Sequence, residues 1–232
     1  MVYSREVGDE ILEFGVSGKL IMNLLVMYDR QTDSLWSQLL GKAVRGPLEG
    51  TELEYVPALM TTWSDWKARH PQTQAIVKGY KGNRDSYASY YASQSAGVIG
   101  ETRTDDRLQT KQFVIGVDTG MATMAFPFSV LNREPVANAQ VGELPVLVVF
   151  DAGNANGVAY SRRVGDRVLT FESASNDKLR DLETGTLWNS FEGDAIEGPL
   201  AGERLDRVKS TIIFWFGWKD FHPDTGIYEA GR

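Results

Sequence analysis

Cysteine is absent from this chain, and histidine occurs only twice in 232 residues. Without thiols there can be no disulfide, no thiolate metal site and no cysteine nucleophile, and the chain would tolerate either redox environment. Basic residues are outnumbered by acidic ones, 24 to 31, which gives a formal net charge of −7 and a pI near 5.0. A nucleic-acid surface neutralises phosphates with clustered Lys and Arg. No such cluster is present, so nucleic acid is not an expected partner. No apolar run approaches the roughly 20 residues needed to cross a bilayer, so no transmembrane segment is expected. The opening residues Met1 to Glu6 lack the apolar stretch of a signal peptide. The chain as it stands therefore reads as soluble and cytoplasmic, or exported if a leader has been removed. Gly-x-Ser-x-Gly, His-Glu-x-x-His, a Walker loop and the Rossmann glycine fingerprint are all missing, and no nucleotide cofactor is expected. Asp151 to Gly157 carries oxygen ligands at the wrong spacing for an EF-hand, and Asn156-Gly157 is a hairpin signal.

What the chain does contain is a match to itself. Shifted by 152 positions, Asp29, Thr32, Leu35 and Trp36 fall on Asp181, Thr184, Leu187 and Trp188. Gly46-Pro47-Leu48 falls on Gly198-Pro199-Leu200, and Trp63, Trp66, Lys67, His70, Pro71 and Thr73 fall on Trp215, Trp218, Lys219, His222, Pro223 and Thr225. Eighteen of the 45 columns from Asp29 to Thr73 are identical, against about three expected at random, which reads as internal duplication. Ile11 to Phe14 matches Val168 to Phe171 more loosely, after a few inserted residues. Both histidines and all six tryptophans lie in these pairs.

Apolar runs that end in turn formers, such as Leu24 to Tyr28 before Asp29 to Asp33, predict strands joined by tight turns. Leu53 to Thr62 reads as extended. Trp63, Trp66 and His70 share one face of a short helix that Pro71 ends, and Ile76-Val77 and Ile227-Tyr228 read as strands. Gly79 to Gly100, rich in Gly, Ser, Ala and Tyr, reads as a long surface loop and a lid candidate. Phe113 to Val117, Met124 to Phe128, Leu144 to Phe150 and Val158 to Arg162 read as strands, the third buried on both faces because it does not alternate. The expected fold is mainly β: an internally duplicated, pseudo-twofold β-sandwich or barrel-like domain with short helices after the Trp63 and Trp215 segments. It is one domain, with copies at about 11–77 and 168–228 around an insert at 78–167.

Phe14-x-Val16-Ser17-Gly18-Lys19-Leu20, Met27-Tyr28-Asp29-Arg30, Ser34-Leu35-Trp36-Ser37-Gln38 and Trp63-Ser-Asp-Trp66-x-x-x-His70-Pro71 resemble the bacterial and archaeal family called domain of unknown function 3179. Asp106-Arg107-Leu108, Phe126-Pro127-Phe128 and Phe214 to Pro223 extend the resemblance over nearly the whole chain. It implies a single domain type, often exported in other members, and no assigned activity.

The residues able to carry chemistry are few. His70 and His222 could share a metal ion, the one cofactor that stays possible, only if they meet on a pseudo-twofold axis. Otherwise both are framework, as are the paired tryptophans. Where the copies differ, Tyr28, Arg30, Lys42 and Arg45 stand opposite Arg180, Leu182, Asp194 and Glu197, so one face is basic and the other acidic. The basic set could hold an anion, or the two faces could pair. Tyr87 and Tyr90 of the Tyr-rich segment would complete such a site. Asp29, Asp106 and Arg107 are the candidate catalytic groups, with Asp105 and Lys111 nearby. Two functions compete: a β domain that binds a small molecule, metal or protein partner between its copies and the Tyr-rich loop, or an enzyme of hydrolase, lyase or isomerase type in the same cleft.

Overall fold

The computed structural model describes residues 1–77, 87–175 and 177–231. The first stretch opens with β1 (Val2–Tyr3) and a small hairpin, β2 (Glu6–Val7) and β3 (Glu10–Ile11). An antiparallel meander follows, made of β4 (Phe14–Ile21), β5 (Leu24–Asp29), β6 (Leu35–Ser37) and β7 (Lys42–Arg45). β8 (Tyr55–Val56) returns to pair with β1, and α1 (Trp63–Arg69) comes next, capped by the Thr62 hydroxyl, which accepts from the Asp65 amide. The helix ends at His70, ahead of Pro71, as the spacing predicts.

The segment read as a surface loop instead holds α2 (Ala88–Ala92). Residues 78–86, which include much of the Tyr-rich stretch, lie outside the described residues. Beyond α2 come β9 (Phe113–Asp118), β10 (Thr123–Pro127), the single turn α3 (Phe128–Leu131), β11 (Val136–Val141), β12 (Leu144–Asp151) and β13 (Asn156–Ser161). Asn156 and Gly157 belong to β13 rather than to the turn before it, which closes at Ala155 with a positive φ of 49°. The order of the first stretch then recurs: a small hairpin β14 (Arg163–Val164) and β15 (Arg167–Val168), and a meander β16 (Phe171–Ser175), β17 (Lys178–Asp181), β18 (Leu187–Asn189) and β19 (Ala195–Glu197). β20 (Ser210–Phe214), α4 (Trp215–Phe221) and β21 (Gly226–Ile227) finish the chain.

The molecule is thus mainly β, with several separate sheets, and among the described residues none closes into a barrel. β12 is the hinge of the packing. Its residues Pro145 to Phe150 are all buried, because Val146, Val148 and Phe150 face a core with Ile115, Phe126 and Ala159, while Leu147 and Val149 face a second core with Phe171, Leu179 and Trp188. A strand with cores on both sides has no reason to alternate. A third core, around Leu12, Trp36 and Leu53, belongs to the first stretch.

The two matching stretches carry the same local bonds. Trp36 Nε1 donates to Asp29 Oδ2 at 2.8 Å, and Trp188 Nε1 to Asp181 Oδ2 at 2.9 Å. The Thr32 amide donates to Asp29 and the Thr184 amide to Asp181, each at 2.6 Å. Gly46 and Gly198 take φ of 109° and 116°, and a Cβ on either would collide with Ser34 or Thr186. Only glycine suits that turn. Trp66 and Trp218 donate to Thr73 and Thr225 at 2.9 Å, and their indoles lie 4.1 and 4.2 Å from His70 and His222.

Each meander also reaches the other stretch. At the β4–β5 turn, Asn23 accepts from the amides of Val98 and Ile99 and donates to Gly100 O, and Leu24 touches the α4 glycine, Gly217. At the β16–β17 turn, Asp177 pairs with Arg69 of α1 at 2.8 Å.

Candidate functional site

Between the stretches lies a cleft of about 780 Å³. One wall is Tyr55, Ala58 to Trp63 and Trp66, the other Gly157 and Ser210 to Ile213, with Leu24, Gln38, Met1 and Val2 closing the ends. At the 152-residue offset, 58–62 aligns with 210–214, a run with no identical residue between the matched pairs Val56/Val208 and Trp63/Trp215, so aligned positions supply both walls. The two walls differ in structure. Ser210 to Phe214 is rich in β-branched residues and pairs antiparallel with β9, whereas Pro57 precedes an extended run in which no strand is assigned between Val56 and α1. Within Leu53 to Thr62, read as extended, only Tyr55 and Val56 form a strand. Ile76 and Val77, expected as a strand, are 85% and 93% exposed and unpaired by any described strand, while Gly226–Ile227 pairs with β10.

The cleft wall is mostly uncharged. Met60 and Trp63 each expose 54% of their surface on its rim, and Tyr55 OH crosses it to donate to Ser210 O at 3.1 Å. Burial pushes the Tyr55 hydroxyl above its ordinary pKa, so it stays protonated and donates.

The residues singled out in the sequence lie elsewhere. Asp29 is fully buried; burial raises its pKa, but the hydrogen bonds from Trp36 and Thr32 outweigh that and hold the carboxyl below its ordinary value. Its oxygens serve the turn. Tyr28 and Arg30 do meet, with the guanidinium 5.6 Å from the ring centroid, and Arg30 approaches Glu13 at 3.9 Å. Arg45 is exposed at the end of β7. Lys42 pairs with Glu52 at 3.0 Å, while Asp194 pairs with Arg204 at 3.1 Å. These are corresponding positions with the charges exchanged, so each charge is balanced within its own stretch rather than across a basic–acidic contact.

Arg107 is bound to Asp105 at 2.6 Å, donates to Thr225 O and lies over the Trp215 ring. Its hydrogen bonds hold the Asp105 carboxyl below the usual range. Asp106 beside it is exposed. Tyr87 is exposed, and Tyr90 sits under Lys111 Nζ, 3.6 Å from the ring centroid, with its own ring 6.3 Å from that of Phe214. None of Tyr28, Asp29, Arg30, Arg45, Tyr87, Tyr90, Asp106 and Arg107 lines this cleft or the ones beside His70 and His222. Tyr90 and Tyr91 reach the ring of Phe214 at the far end of β20.

His70 lines a cleft with Arg69, Phe191 and Arg207, and His222 another with Asp118 and Lys209. They share none of the clefts. Burial holds the His222 imidazole below its usual pKa. Among the described residues no group of three or more His, Asp or Glu is placed to hold a metal ion. α4 carries an enclosed ion cluster: Lys219, 1% exposed, meets Glu101 and Asp220 at 3.3 Å and donates to Arg103 O, and Asp220 accepts from the amides of Thr102 and Arg103. Every one of these groups is matched, so the cluster fastens residues 101–103 over the helix.

A family model described as protein of unknown function (DUF3179) matches residues 1–225. The chain belongs to the DUF3179 family. No curated protein and no solved structure matches it, so the family description carries no activity to compare with the cleft. For this DUF3179 chain, no helix among the described residues is long and apolar enough to cross a membrane. The cleft residues escaped sequence reasoning because nothing about them is chemically unusual. The one signal was Ser210 to Phe214, an uncharged, β-prone run.

Proposed function

We propose that this chain is a non-catalytic binding domain, built from two copies of one β unit, which takes a small apolar molecule or a protein segment in the cleft between 58–66 and 210–213. The observation that carries the reading is that corresponding segments, 152 residues apart, wall the same cleft. A site formed by both copies is what a pseudo-twofold arrangement favours. The size of the cleft and its largely uncharged lining are those of a ligand site. The groups that could have made an enzyme are spent on turns and ion pairs, and the separated histidines give the shared-metal version no support.

The test uses the dye 1-anilinonaphthalene-8-sulfonate as an apolar probe of the whole chain. Saturable uptake with a blue-shifted emission is expected, weakened at least tenfold by Met60→Glu, which sets a charge of the dye's own sign on the rim of the cleft without touching the core. Equal uptake by the variant and the parent chain would overturn the reading.

A further inference from the structure

We infer that the occupant of the cleft is an extended peptide segment, which pairs its backbone with the open edge of β20. This rests on the cleft reading and goes beyond it by naming the partner's chemistry and the atoms that receive it.

The hydrogen-bond register fixes which backbone groups face the cleft. Asp118 N donates to Lys209 O, and Trp215 N donates to Gln112 O. The odd-numbered residues from 209 to 215 therefore turn their N–H and C=O towards β9, because pairing in an antiparallel ladder alternates. Ser210, Ile212 and Phe214 turn theirs the other way. That outward row is already in use at its start, where Ser161 N donates to Asp206 O and Val208 N donates to Ala159 O. The ladder with β13 stops there. Further along, the outward carbonyl of Ser210 takes the Tyr55 hydroxyl, and beyond it the row continues along the cleft past Ile212. The order β20-β9-β10-β21 leaves β20 at the margin of its sheet.

An edge of this kind is normally guarded by a charge, a proline or a bulge, since unpaired backbone is a template for another chain. The corresponding wall has such a guard in Pro57. β20 has none: Ser210-Thr-Ile-Ile-Phe214 carries no charge, and the neighbouring Lys209 is turned to Asp118, 3.2 Å away. The edge is also half-buried rather than freely solvated, with every β20 residue of intermediate exposure, so an added strand would find a slot and not an open flank. Opposite stand Leu59, Met60 and Trp63. Addition of a strand gives affinity through the main chain, and pockets for alternate side chains give selectivity. The matching partner is a segment of about four to six residues with apolar or β-branched side chains at alternate positions and no proline.

The probe is a random decapeptide library displayed on phage, panned on the full chain. Enrichment of alternating, proline-free sequences is expected, with binding at least tenfold weaker to Ser210→Lys, which places a guarding charge on the edge while leaving the β20–β9 ladder whole. Ile212→Pro should act likewise, because it deletes a donor that faces the cleft and none that faces β9. Exchange of the Ile212 amide in the parent chain should slow on addition of a selected peptide, a readout that needs no variant to fold. No enrichment, binding unaffected by Ser210→Lys, or unchanged exchange at Ile212 would each overturn the inference. If the dye still enters the cleft in that event, the binding-domain reading survives and only the peptide falls. If the dye fails as well, both fall together.

Discussion

α1 and α4 share one sequence pattern of Trp, His and Pro, yet only one of them is inside the protein. Both run seven residues, both end on a histidine with φ near −125°, and both fasten a tryptophan to a threonine seven residues on. α4 buries six residues against the β9–β10 sheet and residues 101–103, whereas α1 buries none. A Cβ placed on Gly116 would stand 2.3 Å from the Trp218 ring, so that indole rests directly on the sheet backbone. The contrast teaches that the local motif, Trp-x-x-Trp-x-x-x-His-Pro, sets its own geometry, while burial is decided by the elements that come to meet it.

The sharpest way to break this comparison is truncation at the shared tryptophan. Trp218→Ala should cost about 3–5 kcal/mol, as a large core deletion does, and Trp66→Ala about 1 kcal/mol, since only part of its apolar surface is removed from water. Urea denaturation of both variants measures the difference, and equal costs would mean that burial does not distinguish the helices. A smaller effect tests where the stretches agree. Asp29→Asn and Asp181→Asn should each cost about 1–3 kcal/mol, the range for mismatching a buried hydrogen-bond network. Unequal costs would show that the two Asp–Trp turns are alike only in shape.

The smallest effect is a pH slope. The folded state holds His222 below its ordinary pKa, so the unfolded chain, with an imidazole near 6.5, binds the proton first as pH falls. Stability from this source is full above that value and is lost as pH drops from about 6.5 towards the folded pKa. Thermal melting of His222→Gln across that window should show a flatter slope, while the same change at the exposed His70 should leave the His222 slope in place.

Much of this frame could be read from residues alone. The turns at Asp29 and Asp181, the twice-buried β12 and both helices follow from turn formers, an unbroken apolar run and the i, i+3, i+7 spacing. The cleft could not be read that way. Its walls are ordinary Ala, Leu, Thr, Ser and Ile, and what sets them apart is which backbone groups the β20–β9 register turns outward, a property of pairing and not of composition. Arg30, Asp106 and Arg107 lie away from these walls and stand out for the opposite reason: their chemistry is conspicuous, but an ionic side chain on the surface usually finds the nearest counter-charge, as Arg107 finds Asp105 two residues away. Ile76 and Val77 failed as a strand because apolar character supplies no partner for pairing.

The arms that the two meanders extend across the molecule bear on how it comes together. Asn23 secures residues 98–100, which lead directly into the stretch fastened over α4, and Asp177 secures Arg69 of α1. Each half thus supplies the clasp for the other's helix. Neither helix can be fully seated until both meanders exist, so assembly is bound to wait on contacts 75 to 108 residues apart in the chain, and a break in one half is felt at the helix of the other.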